Sequence, residues 1–148
     1  AMGKENSPIV KNNMAIITRL NGDRKGAMEM LEAAAGAGDE VNYNMGIIDI
    51  QNGDYSTAIQ NMKGYNTFNK ALAQVLAGNT ETAMKTVNDS DASDTAMGYY
   101  LKAIISARMS DGDGVTTNLD KAYQMDMSLK DKGAMDLEFR NFRDEAAE

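Results

Sequence analysis

Residues 43–59 read YNMGIIDIQNGDYSTAI. A Gly-Asp pair, Gly53-Asp54, separates an apolar segment from one of small residues. Nearly the same phrase precedes it as NMAIITRLNGDRKGAM (13–28) and follows it as NKALAQVLAGNTETAM (69–84). In register, Ala15, Gly46 and Ala71 share one position, and Ala27, Ala58 and Ala83 fall twelve residues later. Gly22-Asp23, Gly53-Asp54 and Gly78-Asn79 lie between them. A weaker fourth copy keeps the spacing through Ala103 and Val115, with Ser110-Asp111 at the corner.

The phrase predicts a helical hairpin. Glycine supplies the left-handed conformation that ends one helix, and the Asp or Asn after it accepts free amides at the start of the next. Small residues at the two marked positions let the helices approach closely. Apolar residues follow helical spacing: Met14, Ile17, Ala27, Met28 and Leu31 in copy one, then Met45, Ile48, Ala58, Ile59 and Met62 in copy two. A lone hairpin cannot bury such faces, so the copies are expected to stack.

Composition agrees. The 148 residues suffice for a core, and the single proline, Pro8, leaves helices uninterrupted. Twelve methionines and no tryptophan imply a core of Ala, Met, Ile and Leu, which suits helix against helix. The net charge of −7 argues against nucleic acid and anionic membrane surfaces, which select basic patches. No apolar run reaches the roughly 18–20 residues of a membrane span. The absence of histidine and cysteine removes Ser-His and Cys-His nucleophile systems and the usual zinc sites, so no catalytic, cofactor or metal residue is expected.

The run Tyr43-Asn44-Met45-Gly46, then Gly53-Asp54-Tyr55, then Ala58-Ile59 and Met62, resembles the tetratricopeptide repeat. Copy one matches that pattern at Asn13, Met14, Ala15, Gly22, Asp23, Ala27, Leu31 and Ala34, and copy three at Asn69, Ala71, Gly78, Asn79, Ala83 and Val87. Intervals between the small residues are 31, 25 and 32 residues, against about 34 for the family. Lys70 and Lys102 stand in the slot of Met14 and Met45. The resemblance implies an all-α, right-handed superhelical solenoid of about four hairpins (8–35, 40–63, 67–88 and 94–125) with a capping helix at 132–143, all in one domain. The helices are expected at 8–20, 24–35, 40–51, 55–63, 67–77, 80–88, 94–109, 114–125 and 132–143. The first opens at Ser7-Pro8, and the last is half apolar and half charged.

The resemblance also implies a concave face lined by first helices, with Tyr43, Asn44, Ile47, Ile50, Phe68, Leu72, Val75, Tyr100 and Ile104 pointing into it. Such a face would hold a protein or peptide segment, making the chain a non-catalytic scaffold or adaptor. Two alternatives remain: an architectural segment whose groove is filled internally, and a small-ligand-binding protein. A clamp for a terminal carboxylate is disfavoured, because only Asn44 agrees while Asn12, Ile16, Tyr65 and Asn69 hold the other slots. The acidic stretches 89–94 and 110–114 offer oxygen ligands for calcium, but Tyr100 and Ala122 fall where a bidentate Glu is needed, which favours turn and cap chemistry. Ala1-Met2 reads as an expression remnant, compatible with a trimmed leader. The Asn-, Asp-, Thr- and Gly-rich texture resembles bacterial envelope repeat proteins and leans the expected location toward the envelope or periplasm.

Overall fold

The structure is a computed structural model that describes residues 14–16 and 18–142. It is all-helical, with no strand among the described residues. The expected helix start at Ser7-Pro8, the core position Ile17 and the end of the capping helix at Arg143 lie outside the described residues. The chain divides into two compact units, Ala1–Tyr65 and Asn66–Glu148.

In the first unit, helical residues 14–16 and 18–20 precede α1 (Arg24–Ala33), α2 (Asp39–Asn52) and α3 (Tyr55–Asn61). Ala15, Ala27, Leu31, Ala34, Val41 and Ile48 form its core, and Met28, Met30 and Met45 pack on it. The α2–α3 pair shows why position 46 is glycine. A Cβ there would meet Met62 Cγ at 2.9 Å and the Ala58 carbonyl oxygen at 3.1 Å, so only a bare Cα admits the facing helix.

The second unit contains α4 (Phe68–Leu76), α5 (Thr80–Asn88), α6 (Ala96–Arg108), α7 (Gly112–Met125), α8 (Leu129–Met135) and a 3₁₀ helix, Leu137–Phe142. α4 packs on α5 and α6 on α7, as the hairpins require. Ala71, Val75, Ala83, Val87, Leu101 and Ile105 make one core cluster. Tyr100, Ala103, Val115, Ala122, Leu129 and Phe139 make another.

The corners repeat in detail. Gly22, Gly53 and Gly78 have φ of +92°, +86° and +90°, and Ser110 adopts +59° in the fourth copy. At each corner the amide of the next residue reaches back to a carbonyl five residues earlier: Asp23 to Thr18 (3.1 Å), Asp54 to Asp49 (2.8 Å), Asn79 to Gln74 (2.8 Å) and Asp111 to Ser106 (2.9 Å). These bonds satisfy carbonyls that a helix end leaves orphaned.

Side-chain capping, in contrast, departs from expectation. Asp23 and Asp111 accept from Gly26 and Gly114 amides at 2.9 and 3.0 Å, whereas Asp54 and Asn79 make no such bond. The two capping carboxylates lie where a Cβ on Gly26 or Gly114 would have to stand, and the uncapped corners carry Thr57 and Thr82 there. Glycine at that position therefore makes room for the cap.

The expected capping helix over 132–143 is also corrected. α8 stops at Met135 because Asp136 adopts an extended conformation, accepting the Glu138 amide on one carboxylate oxygen (3.0 Å) and the Tyr100 hydroxyl on the other (2.6 Å). Such a side-chain turn competes with helix continuation. The tighter 3₁₀ turn puts Phe139 in the core, with its ring edge-on to Tyr100 at 5.6 Å. Met135 and Leu137 are left 80% and 74% exposed, so this segment has no clean apolar side.

Two stability measurements check this account. Ala58→Leu is expected to overpack the α2–α3 contact and cost roughly 1–3 kcal/mol or more in chemical denaturation. Ser110→Gly is expected to relieve the left-handed strain and, after the entropy cost of glycine, to gain about 0.5–1 kcal/mol. The reverse change, Gly53→Ser, should lose stability.

Candidate functional site

The slots expected to line a partner-binding face fall into three groups. On α2, Tyr43, Ile47 and Ile50 recur at helical spacing, and with Asn44 they are partly exposed. In the second unit, Phe68 and Leu72 of α4 and Ile104 of α6 are also partly exposed and rest together on the Ala71–Val75–Leu101–Ile105 cluster. Val75 and Tyr100 are different. They are 1% and 2% exposed and belong to the core, so they offer no surface to a partner.

The burial of both has a visible cause. Val75 is covered by its own cluster, and its carbonyl accepts Arg108 Nη1 at 2.7 Å. The same guanidinium grips Glu138 through Nε and Nη2 at 3.0 and 2.6 Å, tying the end of α4 to the 3₁₀ helix. Tyr100 is held under Phe139 by its bond to Asp136. Burial first, and then that bond, push its phenol far above the ordinary value, so it stays a neutral donor.

Tyr43 has a partner that the register did not reveal. Its ring lies 4.8 Å from that of Tyr65, the planes inclined at 47°. Asp39 and Glu40 open α2 one turn earlier. Burial foremost, then the charges of Glu40 and Asp39 and the Tyr43 phenol, raise the pKa of the Tyr65 phenol.

The acidic stretches do structural work. Asp111 caps α7, and Asp94 accepts the Tyr99 hydroxyl at 3.1 Å. Loop 89–94 already holds a cation of the chain itself. The ammonium of Lys102, a residue only 8% exposed, donates to the Ser93 carbonyl (2.8 Å) and hydroxyl (3.0 Å) and lies 4.7 Å from the Tyr99 ring centre. Burial lowers its pKa, which the charge of Asp94 partly restores. Among the described residues no three His, Cys, Asp or Glu side chains gather as a metal would require, and no helix is long and apolar enough to cross a membrane.

One open pocket of about 430 Å³ lies between α7, α8 and the 3₁₀ helix, walled mainly by Val115, Leu119, Tyr123, Phe139 and Phe142. Its one acidic wall residue is Asp120, so it lacks the paired carboxylates that general acid–base chemistry would use.

Sequence reasoning missed a polar layer three residues after each small residue: Thr18, Asp49, Gln74 and Ser106. Twelve residues later stand Met30, Asn61, Thr86 and Asn118. Thr18 Oγ1 lies 3.6 Å from Met30 Sδ, and Asn61 Nδ2 donates to Asp49 at 2.8 Å. Gln74 Oε1 is buried with no hydrogen-bond partner. The signal was available, since the position is polar in all four copies.

No protein-family model matches this chain, and no curated protein matches it.

Asp49 supplies a pH test. It is 5% exposed, and burial raises its pKa against the lowering effect of the Asn61 bond, with Asp54 and Glu32 adding to the rise. A carboxyl whose folded pKa exceeds its unfolded value of 3.8 favours folding fully below pH 3.8, and loses that contribution as pH rises through the folded value. Asp49→Asn retains an oxygen for Asn61. The variant should melt higher than the parent at neutral pH, with the difference shrinking toward pH 3; thermal melts across that range provide the check.

Proposed function

We propose that the chain is a non-catalytic, tetratricopeptide-like repeat module that holds a segment of a protein partner against the exposed faces of its first helices. The observation that carries this reading is the set of partly exposed apolar side chains at matching register slots: Ile47 and Ile50 on α2, Phe68 and Leu72 on α4, and Ile104 on α6. Apolar side chains that recur at i, i+4 and i+7 along one face are the anchors that grooves offer to extended or helical segments. The four matching corners support the repeat register. The missing histidine and cysteine favour binding over catalysis. On this reading the hairpins form a superhelical stack, and the contact residues are Tyr43, Asn44, Ile47, Ile50, Phe68, Leu72 and Ile104.

The burial of Val75 and Tyr100 favours a second reading for the second unit alone, in which that part of the face is filled from within and serves architecture.

Affinity capture from a lysate of the source organism, with Ile47→Asp and Leu72→Asp run beside the parent, distinguishes these readings. Capture should be abolished by either charge while the helical circular dichroism and melting temperature stay close to the parent. Loss of fold would place the substituted residue in the core. Retention of Leu72→Asp binding with loss at Ile47→Asp would confine the partner to the first unit.

A further inference from the structure

We propose that the pocket between α7, α8 and the 3₁₀ helix is a binding site for a small, neutral aromatic molecule whose carbonyl oxygen accepts a hydrogen bond from Tyr123. The proposal concerns the second unit alone and does not rest on the partner-binding reading.

The break at Asp136 builds this cavity. Ending α8 there brings the 3₁₀ helix against α7, and Phe139 and Phe142 become part of the wall. Val115, Leu119 and Tyr123 recur at helical spacing along α7 and supply more of it. Much of the wall is held in place by the fold. Val115 and Phe139 are buried, and the Phe139 ring is kept edge-on to Tyr100, whose hydroxyl is bonded to Asp136. At about 430 Å³ the space falls within the range of small-molecule sites, roughly 300–1,000 Å³.

Tyr123 supplies the polar address. Gly133 of α8 also walls the pocket, and a Cβ there would collide with the Tyr123 hydroxyl. The bare Cα leaves that hydroxyl its place. The hydroxyls of Tyr99 and Tyr100 are committed to Asp94 and Asp136. That of Tyr123 makes no hydrogen bond among the described residues and is not sealed from solvent, so a molecule in the pocket can reach it. Burial foremost, then the charges of Asp120 and Asp136, raise its pKa, which keeps the proton available for donation.

Size and charge select the occupant. The ten wall residues fall short of the roughly 20–30 that each side of a stable protein interface contributes. Residues 143–148, RDEAAE, carry no large apolar side chain with which to fill the space. Asp120 and Lys130, the charged wall residues, are of opposite sign and both exposed, so the site favours neither an anion nor a cation. The rings of Tyr123, Phe139 and Phe142 favour another ring laid against them.

The test titrates acetophenone, which carries one carbonyl, and ethylbenzene, which carries none, into the full chain and follows amide, methyl and aromatic resonances. Both should shift Val115, Leu119 and Phe139. Tyr123→Phe removes only the hydroxyl. It should leave the melting temperature unchanged, weaken acetophenone about fivefold and leave ethylbenzene alone. Benzoate should bind the parent more weakly than acetophenone, because entry strips water from its charge. No shift at the pocket with either probe, up to the limit of solubility, would overturn the site. Equal loss of both probes in Tyr123→Phe, or loss of neither, would overturn the hydroxyl contact and the assigned ligand class with it. Tighter binding of benzoate would overturn the neutral class. A lower melting temperature in Tyr123→Phe would show the hydroxyl to be committed to the fold, against the proposal. Pocket resonances that shift when the parent alone is diluted would mean that a second copy fills the space, which also overturns it.

Discussion

At each of four corners, the amide after a left-handed residue reaches back five positions to a helix carbonyl. Much of the rest depends on this bond. It ends the first helix, fixes the direction of the second, and brings the small residues twelve apart to face one another across the hairpin. Because the contact is made by backbone, the corner tolerates variation in side chains. Serine replaces glycine at position 110 and the same bond still forms, at 2.9 Å. Asp54 and Asn79 leave their side chains out of the cap, and the geometry persists. The side chains tune a turn that the main chain makes.

Within the second unit, a different set of interactions closes the structure. Asp136 and Arg108 join segments distant in sequence, Lys102 pins the loop that leads into its own helix, and each works through charge-assisted hydrogen bonds. Asp136 is the most consequential. By taking the Tyr100 hydroxyl and the Glu138 amide together it stops α8, and that stop swings Phe139 into the core beside the phenol it shields. Arg108 then holds the resulting turn through Glu138.

The hairpins were legible because their signal is local. Glycine has a specific reason to stand at a left-handed corner, and two small residues twelve apart have a specific reason to face one another, so even the altered copy at Ser110 could be placed. Helix limits fell within a few residues of expectation wherever a corner set them. The break at Asp136 was not legible, because its partner Tyr100 lies 36 residues away and nothing nearby marks that pairing. Val75 and Tyr100 were misread for a related reason. Register assigns a direction to a side chain, but whether another element covers it depends on where later segments pack. The contact of Tyr65 with Tyr43 joins α2 to the segment after α3, and nothing in the register marks that pairing.

Lys102 gives loop 89–94 a counter-ion on a tether. A bound metal would come and go with its free concentration, and its occupancy would report on the surrounding medium. An ammonium anchored to a neighbouring helix has no such freedom, because its local concentration is set by the fold. Neither chelation nor dilution can strip it from Ser93, and high salt competes poorly with a group so far out of solvent. The ammonium thus stays with the loop as part of the fold, and acylation of that nitrogen would remove its charge from the site.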